Sequence, residues 1–443
     1  MCWAEEMYSA FTSSPRTGRS GAISSRFLAV RLPPLRTTSG CDPCPMRASH
    51  LIFLPVIGLL MTLACRDPYR PEIEGFESLM VIEGRVTDDT AGSQVRLSRS
   101  YGFEQSSAQA VQGATVRFDA ESGESYLLTE VAPGLYQTDP DSWMPAPGAA
   151  YRLRVDTREG EAFASSYERL KVAPSISALD KAFTERNGQA LGQIDQGMQI
   201  KLSTSDPTGE TRFYQWAYDE TYEFFVPYPI FERWEWEPTP RGVPIPWEEE
   251  TYHCYRSLVS EEILIGTTRQ LEEDVIRDFP LLFVDAQSGK VYWDYSLRVK
   301  QYALSEEEFA YLEAMKANTE TTGSLFDPIP TEIRGNIMDL NDPERPVIGY
   351  FGASTVSEQR IFLHPNEWPT TVRRQRPLSR CEPDTIELDL FELQITGMPN
   401  ESYIWYDTLY VEGIFPAGFL LVRPHCGDCK VTGFPERPPY WPN

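Results

Sequence analysis

The stretch ATVRFDA, residues 114–120, alternates small or apolar side chains with polar ones. In an extended strand successive side chains point to opposite faces, so the apolar members of this stretch share one face and can enter a core. Comparable short segments recur through residues 79–170, and glycine ends the turn triplets ESG (121–123) and REG (158–160), as hairpin tips often require. This spacing of short strands predicts a small β-sandwich over residues 78–174.

Residues 175–443 are predicted to form a second, larger β-rich domain. Segments such as YWDYSLRVKQYAL (292–304) and SYIWYDTLYVEG (402–413) are rich in the aromatic and β-branched residues that favour strands. The predicted fold class is therefore mostly β, with an N-terminal β-sandwich followed by a larger β-sandwich-type domain.

One helical insertion interrupts the strands of the larger domain. Ser305 and Glu308 have the spacing of a capping box, and Phe309 and Leu312 follow at helical spacing. We therefore expect a helix near residues 305–318. Its acidic side chains are expected to form a solvated face.

The charge balance of the chain argues against binding to nucleic acid. Among the 443 residues, 65 Asp and Glu oppose 40 Lys and Arg, which gives a formal net charge of −25. Binding to phosphates needs clustered positive charge. Aromatic residues make up 12% of the chain and 36 prolines are spread along it, a composition that favours a β-rich, loop-rich protein.

The N-terminal region contains a segment typical of a secretory signal. Residues 46–65 read MRASHLIFLPVIGLLMTLAC, in which an arginine precedes an apolar run shorter than the roughly 20 residues of a membrane-spanning helix. The run closes on Cys65, as in bacterial lipoprotein signal peptides, where the cysteine is acylated. We therefore expect a signal peptide at residues 46–64, a lipid anchor to the membrane on Cys65, a tether at residues 65–77, and an extension upstream of the true start at residues 1–45. The alternatives are an ordinary signal peptide or a buried apolar segment, with Cys65 incidental in both.

Export places the chain in an oxidising compartment, which decides how its remaining cysteines are interpreted. The motif CDPC (41–44) falls in the leader, so it cannot join CGDC (426–429) in a zinc site. The cysteines of the mature chain are then Cys254, Cys381, Cys426 and Cys429. Closing a long loop stabilises more than closing a short one, so we expect the two cysteines of CGDC to pair separately with the two distant ones. A mixed zinc site that uses His253 and His425, each beside a cysteine, is the alternative.

Residues 226–254 are dense in proline, tryptophan and tyrosine. The candidate ligand-binding residues are Tyr228, Phe231, Trp234, Trp236 and Trp247. In a segment stiffened by proline, these rings would form a stacking platform for a ligand or a patch for a partner protein. The alternative is that they cover the β-sandwich core, since tryptophan and tyrosine are usually mostly buried.

Catalytic motifs are largely absent from the sequence, which has no Gly-x-Ser-x-Gly elbow, no P-loop, no His-Glu-x-x-His and no Gly-x-Gly-x-x-Gly. Glu235 and Glu237 lie beside tryptophans, but glycoside hydrolysis needs two carboxylates across a substrate, which neighbours on one strand do not provide by themselves. We therefore predict no catalytic residue, no metal and no cofactor. An envelope glycan hydrolase and an adhesion or scaffold lipoprotein are kept as alternative functions.

Several stretches taken together resemble a known family. They are LMVIEGRVTDD (79–89), VQGATVRF (111–118), the long stretch from YSLRVKQYALSEEEF to EIRGNI (295–337), PVIGYFGAS (346–354) and the closing CGDCKVTGFPERPPYWP (426–442). In this order they are similar to the domain of unknown function 4249 lipoproteins of Bacteroidetes-type bacteria. The resemblance implies an outer-membrane lipoprotein, on the periplasmic or the cell-surface face, that assists a TonB-dependent nutrient receptor, and a prealbumin-like, Ig-like first sandwich. It supplies no catalytic residue and no ligand.

Overall fold

The structure is a computed structural model, and it describes most of the chain beyond residue 77. The described residues are 78–101, 108–188, 190, 192–235, 243–246, 250–320, 333–387, 404–411 and 415–442. The predicted extension, signal peptide and tether, together with the lipidation site Cys65, lie outside them. Gly75–Asn443 form one compact unit. Across the described ranges, no helix has both the length and the apolar character needed to cross a membrane.

Strands make up most of the regular structure, as predicted. The strands of the N-terminal part are β1 (Met80–Val86), β2 (Gln94–Arg99), β3 (Gln109–Ala110), β4 (Thr115–Ala120), β5 (Ser125–Leu127), β6 (Thr129–Ala132), β7 (Leu135–Gln137), β8 (Ala150–Asp156), β9 (Ala162–Ser165) and β10 (Glu168–Arg169). They are followed by β11 (Ile176–Asn187), β12 (Ile194–Ser205), β13 (Phe213–Phe225), β14 (Glu232–Glu235), β15 (Val243–Pro246), β16 (His253–Val259), β17 (Leu264–Thr267), β18 (Val275–Asp285) and β19 (Tyr295–Ala303). The chain then forms α1 (Glu306–Glu320), β20 (Ile337–Asp339), β21 (Phe351–Ala353), β22 (Val356–Leu363), a 3-10 turn (Pro365–Glu367), β23 (Asp384–Glu387), β24 (Ile404–Val411), β25 (Phe415–Val422), the one-turn helix α2 (Pro424–Gly427) and a second 3-10 turn (Cys429–Val431).

The first sandwich encloses a core between a sheet in the order β21-β1-β2-β7-β6 and a sheet in the order β20-β9-β8-β4-β5. The predicted alternation holds in β4, where Val116 and Phe118 are fully buried and the residues on either side of them are not. Both sheets contribute to the core, for example Ile82 and Leu97 from one and Leu153 from the other. The predicted N-terminal β-sandwich is confirmed.

β20 and β21 belong to this sandwich, although both lie outside the predicted range 78–174. β21 pairs in parallel with β1, so that Gly84 lies opposite Phe351, and β20 pairs with β9. Gly349 makes the close approach possible, because it has a φ of +118° and a Cβ there would lie 1.8 Å from the carbonyl oxygen of Ile82. The predicted range therefore omits part of the sandwich. A parallel pairing between distant segments has no hairpin turn that could reveal it in the sequence.

A second core lies between the sheet β11-β12-β18 and the sheet β16-β13-β19-β22. Trp216 of β13 is fully buried there and packs against Phe279, with ring centroids 4.3 Å apart. Its indole N–H donates to Oε1 of Gln301 at 2.9 Å, and Nε2 of Gln301 donates to the carbonyl oxygen of Pro174 at 2.8 Å. A buried amide needs hydrogen-bond partners. Because the partners of Gln301 include Trp216 in the second core and Pro174 between the two sandwiches, Gln301 holds the connecting segment against the second core.

The predicted helix is confirmed as α1. Ser305 caps it, since the backbone N–H of Glu308 donates to Ser305 Oγ at 3.0 Å. Phe309 packs against Phe213 of β13, with ring centroids 5.0 Å apart. The expectation of a solvated acidic face is wrong for Glu308, which is 4% exposed because its carboxylate faces Arg85 of β1.

The segment after β25 lies on the other face of the second sheet. Tyr255 of β16 and Phe434 exchange backbone hydrogen bonds at 2.8 and 2.9 Å. Trp441 packs edge-on to Tyr255, with ring centroids 5.0 Å apart, and also against Phe362 of β22 at 5.8 Å. The C-terminal segment therefore covers aromatic side chains that this sheet would otherwise expose.

Candidate functional site

A cleft of about 400 Å³ lies where the first sandwich meets β13, β19 and α1. β1 contributes Glu83 and Arg85, which share one face because side chains alternate along a strand. β19 contributes Lys300 and Tyr302 in the same way, and α1 contributes Glu308. The volume falls within the range of small-molecule sites, about 300 to 1,000 Å³.

Arg85 is the central side chain of the cleft wall. Its Nη2 lies 2.5 Å from Oε1 of Glu308 and 2.5 Å from Oε1 of Gln215. Its guanidinium carbon lies 4.3 Å from the centroid of the Tyr302 ring. The side chain of Glu308 is only 5% exposed and that of Arg85 is 20% exposed. Removal of either partner would leave the other as a largely buried charge without compensation, which is destabilising. The pair therefore holds β1 and α1 together at the cleft.

A second ion pair joins Lys300 to Asp89, which lies in the turn after β1. Nζ of Lys300 is 2.5 Å from Oδ2 of Asp89, and the two side chains are 14% and 6% exposed. Burial alone would raise the pKa of Asp89, but the hydrogen bond from the Ala91 N–H and the ammonium of Lys300 outweigh it, so the pKa lies below its ordinary value. Asp89 is therefore ionised near neutral pH and is neutralised by Lys300.

Tyrosine side chains supply aromatic surface and hydroxyl groups to the cleft. The rings of Tyr311 and Tyr350 lie with centroids 5.3 Å apart, and Tyr302 lies beneath Arg85. Burial raises the pKa of all three phenols above the ordinary value. Each hydroxyl therefore stays protonated at physiological pH and is able to donate a hydrogen bond.

Polar atoms behind the cleft wall lack hydrogen-bond partners within the described part of the chain. These atoms are Nε of Arg85 and Oγ1 of Thr87, and Thr87 is only 7% exposed. A buried donor without a partner costs about 1 to 3 kcal/mol. Glu83, by contrast, is exposed at the rim. The cleft thus combines neutralised charges with polar groups that have no partner among the residues that the structure describes.

The structure gives different surroundings to two of the predicted aromatic residues. Tyr228 is partly buried, its hydroxyl donates to the carbonyl oxygen of Cys381 at 3.4 Å, and its ring packs edge-on to Tyr406 at 5.1 Å. Phe231 is 72% exposed. Tyr228 therefore serves packing around the C-terminal disulfides, whereas Phe231 presents its ring to solvent.

The other predicted residues of this segment are only partly described. The backbones of Trp234 and Glu235 lie in β14, which pairs with β15. The side chains of these two residues lie outside what the structure describes, as do Trp236, Glu237 and Trp247 entirely. That the segment binds a ligand stays a prediction.

Disulfides join Cys254 to Cys429 and Cys381 to Cys426, with Cα atoms 5.6 and 5.8 Å apart. The prediction that the two cysteines of CGDC bridge separately to distant partners is confirmed. The bridges hold the C-terminal turns against β16 and against the segment before β23. The backbone N–H of Tyr228 adds a hydrogen bond to the carbonyl oxygen of Cys426 at 3.2 Å.

The alternative zinc site is not supported by this arrangement. A ring nitrogen of His425 and the sulfur atoms of Cys381 and Cys426 lie within 4.8 Å of one another. The two sulfurs are bonded to each other, so neither is a thiolate that could bind zinc. His253 faces a carboxylate instead, with its Nε2 2.8 Å from Oε1 of Glu223.

Sequence reasoning missed Arg85, Gln215 and Lys300 as site residues. Gln215 and Lys300 lie at partly exposed positions between buried neighbours, and Arg85 lies at a partly exposed position beside one buried neighbour. A polar side chain is the ordinary choice at such positions. No local pattern therefore distinguishes them. Glu308 was singled out in the sequence, but only for its capping-box spacing from Ser305 and not as a partner in an ion pair.

The residues that line the cleft lie in a part of the chain that matches a known sequence family. Residues 66–360, more than half of the chain, match the profile of a family described as "Domain of unknown function (DUF4249)". The matched range includes β1, β13, β19 and α1, and with them every charged residue that lines the cleft. No curated protein matches the chain.

Proposed function

We propose, from the premise that the chain belongs to the domain of unknown function 4249 family, that it is a lipid-anchored outer-membrane protein that binds a nutrient for a TonB-dependent receptor without catalysing a reaction. The signal-like residues 46–65 support export and acylation at Cys65. Several acyl chains on one residue anchor a protein firmly, at about 0.8 kcal/mol per buried methylene group. The polar cleft is the observation that carries the binding role.

The charge arrangement of the cleft supports binding over catalysis. Its buried carboxylates, Asp89 and Glu308, each lie against a cation. A general acid for glycoside hydrolysis needs a raised pKa, whereas the pKa of Asp89 is lowered. Walls that are fixed by paired charges are already ordered before a ligand arrives, which reduces the entropy cost of binding.

Membrane fractionation with mass spectrometry of the N-terminal peptide tests the anchor. We expect the protein in the outer-membrane fraction with acyl chains on Cys65, and a Cys65→Ala variant in the soluble envelope fraction. Crosslinking in cells followed by purification should recover a TonB-dependent receptor with the wild type. A wild-type protein that is soluble, unacylated and without such a receptor would remove the basis of the proposal.

One observation favours a glycan hydrolase as the second candidate. Burial raises the pKa of Glu168, although hydrogen bonds from Asn336 and Ser166 act in the opposite direction, and a general acid requires such a raised value. The purified chain and its Glu168→Gln variant should be incubated with envelope glycans while the release of reducing ends is followed. Release by the wild type and not by the variant would establish the hydrolase.

The adhesion or scaffold alternative draws on the exposed ring of Phe231. A protein partner that is recovered by crosslinking with the wild type, and lost with Phe231→Ala, would support this role. In that case the lipid anchor and the cleft would contribute to attachment to a partner protein and not to capture of a nutrient.

A further inference from the structure

The charges that line the cleft leave little attraction for an ionic ligand. Arg85 is paired with Glu308, and Lys300 is paired with Asp89. Among the described residues of the lining, Glu83 on the rim is the remaining charged one. An anion would meet cations that are already neutralised and would be repelled by Glu83. A cation would be attracted by Glu83 only at the solvated rim, where an ion pair contributes little, and inside the cleft it would have to compete with Arg85 and Lys300 for their carboxylates. The electrostatics therefore favour a ligand without net charge.

The uncharged part of the lining fits a ligand that carries many hydroxyl groups. Gln94 is exposed on the rim and offers both an amide donor and a carbonyl acceptor. Tyr311 and Tyr350 contribute ring surface with polar tips, beside the apolar side chains of Leu312 and Met315. A sugar ring matches this mixture, because its hydroxyls both donate and accept hydrogen bonds and its C–H face packs on aromatic surface.

The partnerless polar atoms give an independent indication of a ligand. Oγ1 of Thr87 and Nε of Arg85 are buried at the cleft wall and have no hydrogen-bond partner among the described residues. The Arg85 Nε–H needs an acceptor, and the Thr87 hydroxyl takes either role. An uncharged hydroxyl group meets both requirements without adding a charge to a wall that is already neutral.

We propose that this cleft binds a short neutral saccharide, whose hydroxyl groups hydrogen-bond at the wall that Arg85 and Thr87 form. The inference rests on the proposed binding function and names the ligand class of that site. Nutrient capture then depends on hydrogen bonding and ring packing rather than on charge.

Isothermal titration calorimetry with the purified full chain tests the ligand class. The probes are glucose, galactose, mannose, N-acetylglucosamine and their disaccharides, each compared with a charged counterpart such as glucuronic acid, glucosamine or glucose 6-phosphate. We expect at least one neutral sugar to bind, and its charged counterpart to bind at least tenfold more weakly. Tighter binding of the charged sugars, or no binding of any neutral sugar, would overturn the proposal.

Matched variants locate the binding. Arg85→Lys keeps the positive charge beside Glu308 but removes Nε, and it should weaken binding at least tenfold. Gln94→Ala, at an exposed position that the fold does not need, should weaken it at least threefold. Gln109→Ala, at an exposed position of the same sandwich outside the cleft, is the matched control and should leave binding unchanged. Phe231→Ala tests whether the sugar binds instead at the exposed ring of the proline-rich segment. Circular dichroism confirms that each variant is folded.

The outcomes separate this inference from the proposed function. Binding that survives both cleft variants, or that is lost in Phe231→Ala, would place the sugar elsewhere and overturn the inference. If no sugar binds while Cys65 is acylated and the receptor is recovered, the ligand class is wrong and the accessory role stands. If acylation and receptor are both missing, the accessory role itself is wrong.

Discussion

Replacing Cys254 and Cys429 together by alanine should lower the free energy of unfolding by about 5 kcal/mol. The disulfide joins residues 175 positions apart. In the chain-entropy account, a bridge stabilises by restricting the unfolded chain, and a loop of this length corresponds to about 5 kcal/mol at 25 °C. The Cys381–Cys426 bridge spans 45 positions and corresponds to about 4 kcal/mol.

The two loops are nested, and this affects the larger value very little. The residues between Cys381 and Cys426 all lie between Cys254 and Cys429, so the inner bridge shortens the outer loop. The contribution depends on the logarithm of loop length, so the shortening removes only about 0.3 kcal/mol from the outer bridge. The order of the two effects is therefore fixed by the connectivity.

Urea unfolding followed by tryptophan fluorescence provides the assay, with the two double-alanine variants compared under identical conditions. The variant without the outer bridge should have the lower midpoint and a steeper dependence on urea, because its unfolded chain exposes more surface. A dye that binds apolar surface should also detect the aromatic side chains of Tyr255 and Phe362 once the C-terminal segment is released. A loss below about 2 kcal/mol with an unchanged urea dependence, or a larger loss in the inner-bridge variant, would refute the reasoning.

The remaining predictions concern the cleft and the pairing of β1. Glu308→Ala should lower the free energy of unfolding by about 3 kcal/mol because it leaves Arg85 mostly buried and unpaired, whereas Glu308→Gln keeps an acceptor and should cost less in the same urea assay. The lowered pKa of Asp89 means that its stabilising contribution is complete above the ordinary value of 3.8 and is lost as the pH falls through the folded pKa; the melting temperatures of wild type and Asp89→Asn should therefore differ at pH 7 and converge in acid, and a constant difference would contradict this. Gly349→Ala should cost about 3 kcal/mol or more, since its Cβ would collide with the carbonyl oxygen of Ile82, and an unchanged urea midpoint would show that the two segments do not approach so closely.

The features that could be predicted from the sequence depend either on a short stretch of residues or on the number of cysteines. Val116 and Phe118 alternate with polar residues over a single strand, and Ser305 precedes its helix directly, so short windows of sequence contain both signals. That the two cysteines of CGDC bridge separately to distant cysteines followed from export, from an even number of cysteines and from the logarithmic gain with loop length. Which cysteine pairs with which did not follow from the sequence. None of these inferences required knowledge of which distant segments meet.

The cleft could not be predicted because it forms only where distant segments meet. Arg85, Gln215 and Glu308 come from β1, β13 and α1, whose side chains meet in the fold although no hairpin turn connects these elements. Hydrophobic alternation decides which face of each strand is buried, but it does not decide which polar side chain of another strand lies beside it. Ion pairs between sheets are therefore a property of the tertiary structure.

The stretch PVIGYFGAS shows how the sequence nevertheless encodes the cleft through its glycines. Gly349 lets the chain approach the backbone of Ile82, which allows β21 to pair with β1. A Cβ at Gly352 would lie 2.4 Å from Oε1 of Glu308, so the absence of a side chain there leaves room for the carboxylate that pairs with Arg85. At one sheet edge, Gly349 avoids a clash with a backbone carbonyl and Gly352 avoids a clash with a carboxylate. Both glycines are therefore needed for the wall of the cleft. A glycine-containing motif of this kind can be recognised in the sequence. The charged residues that it positions cannot be recognised in this way, because they follow the ordinary polar pattern of a strand.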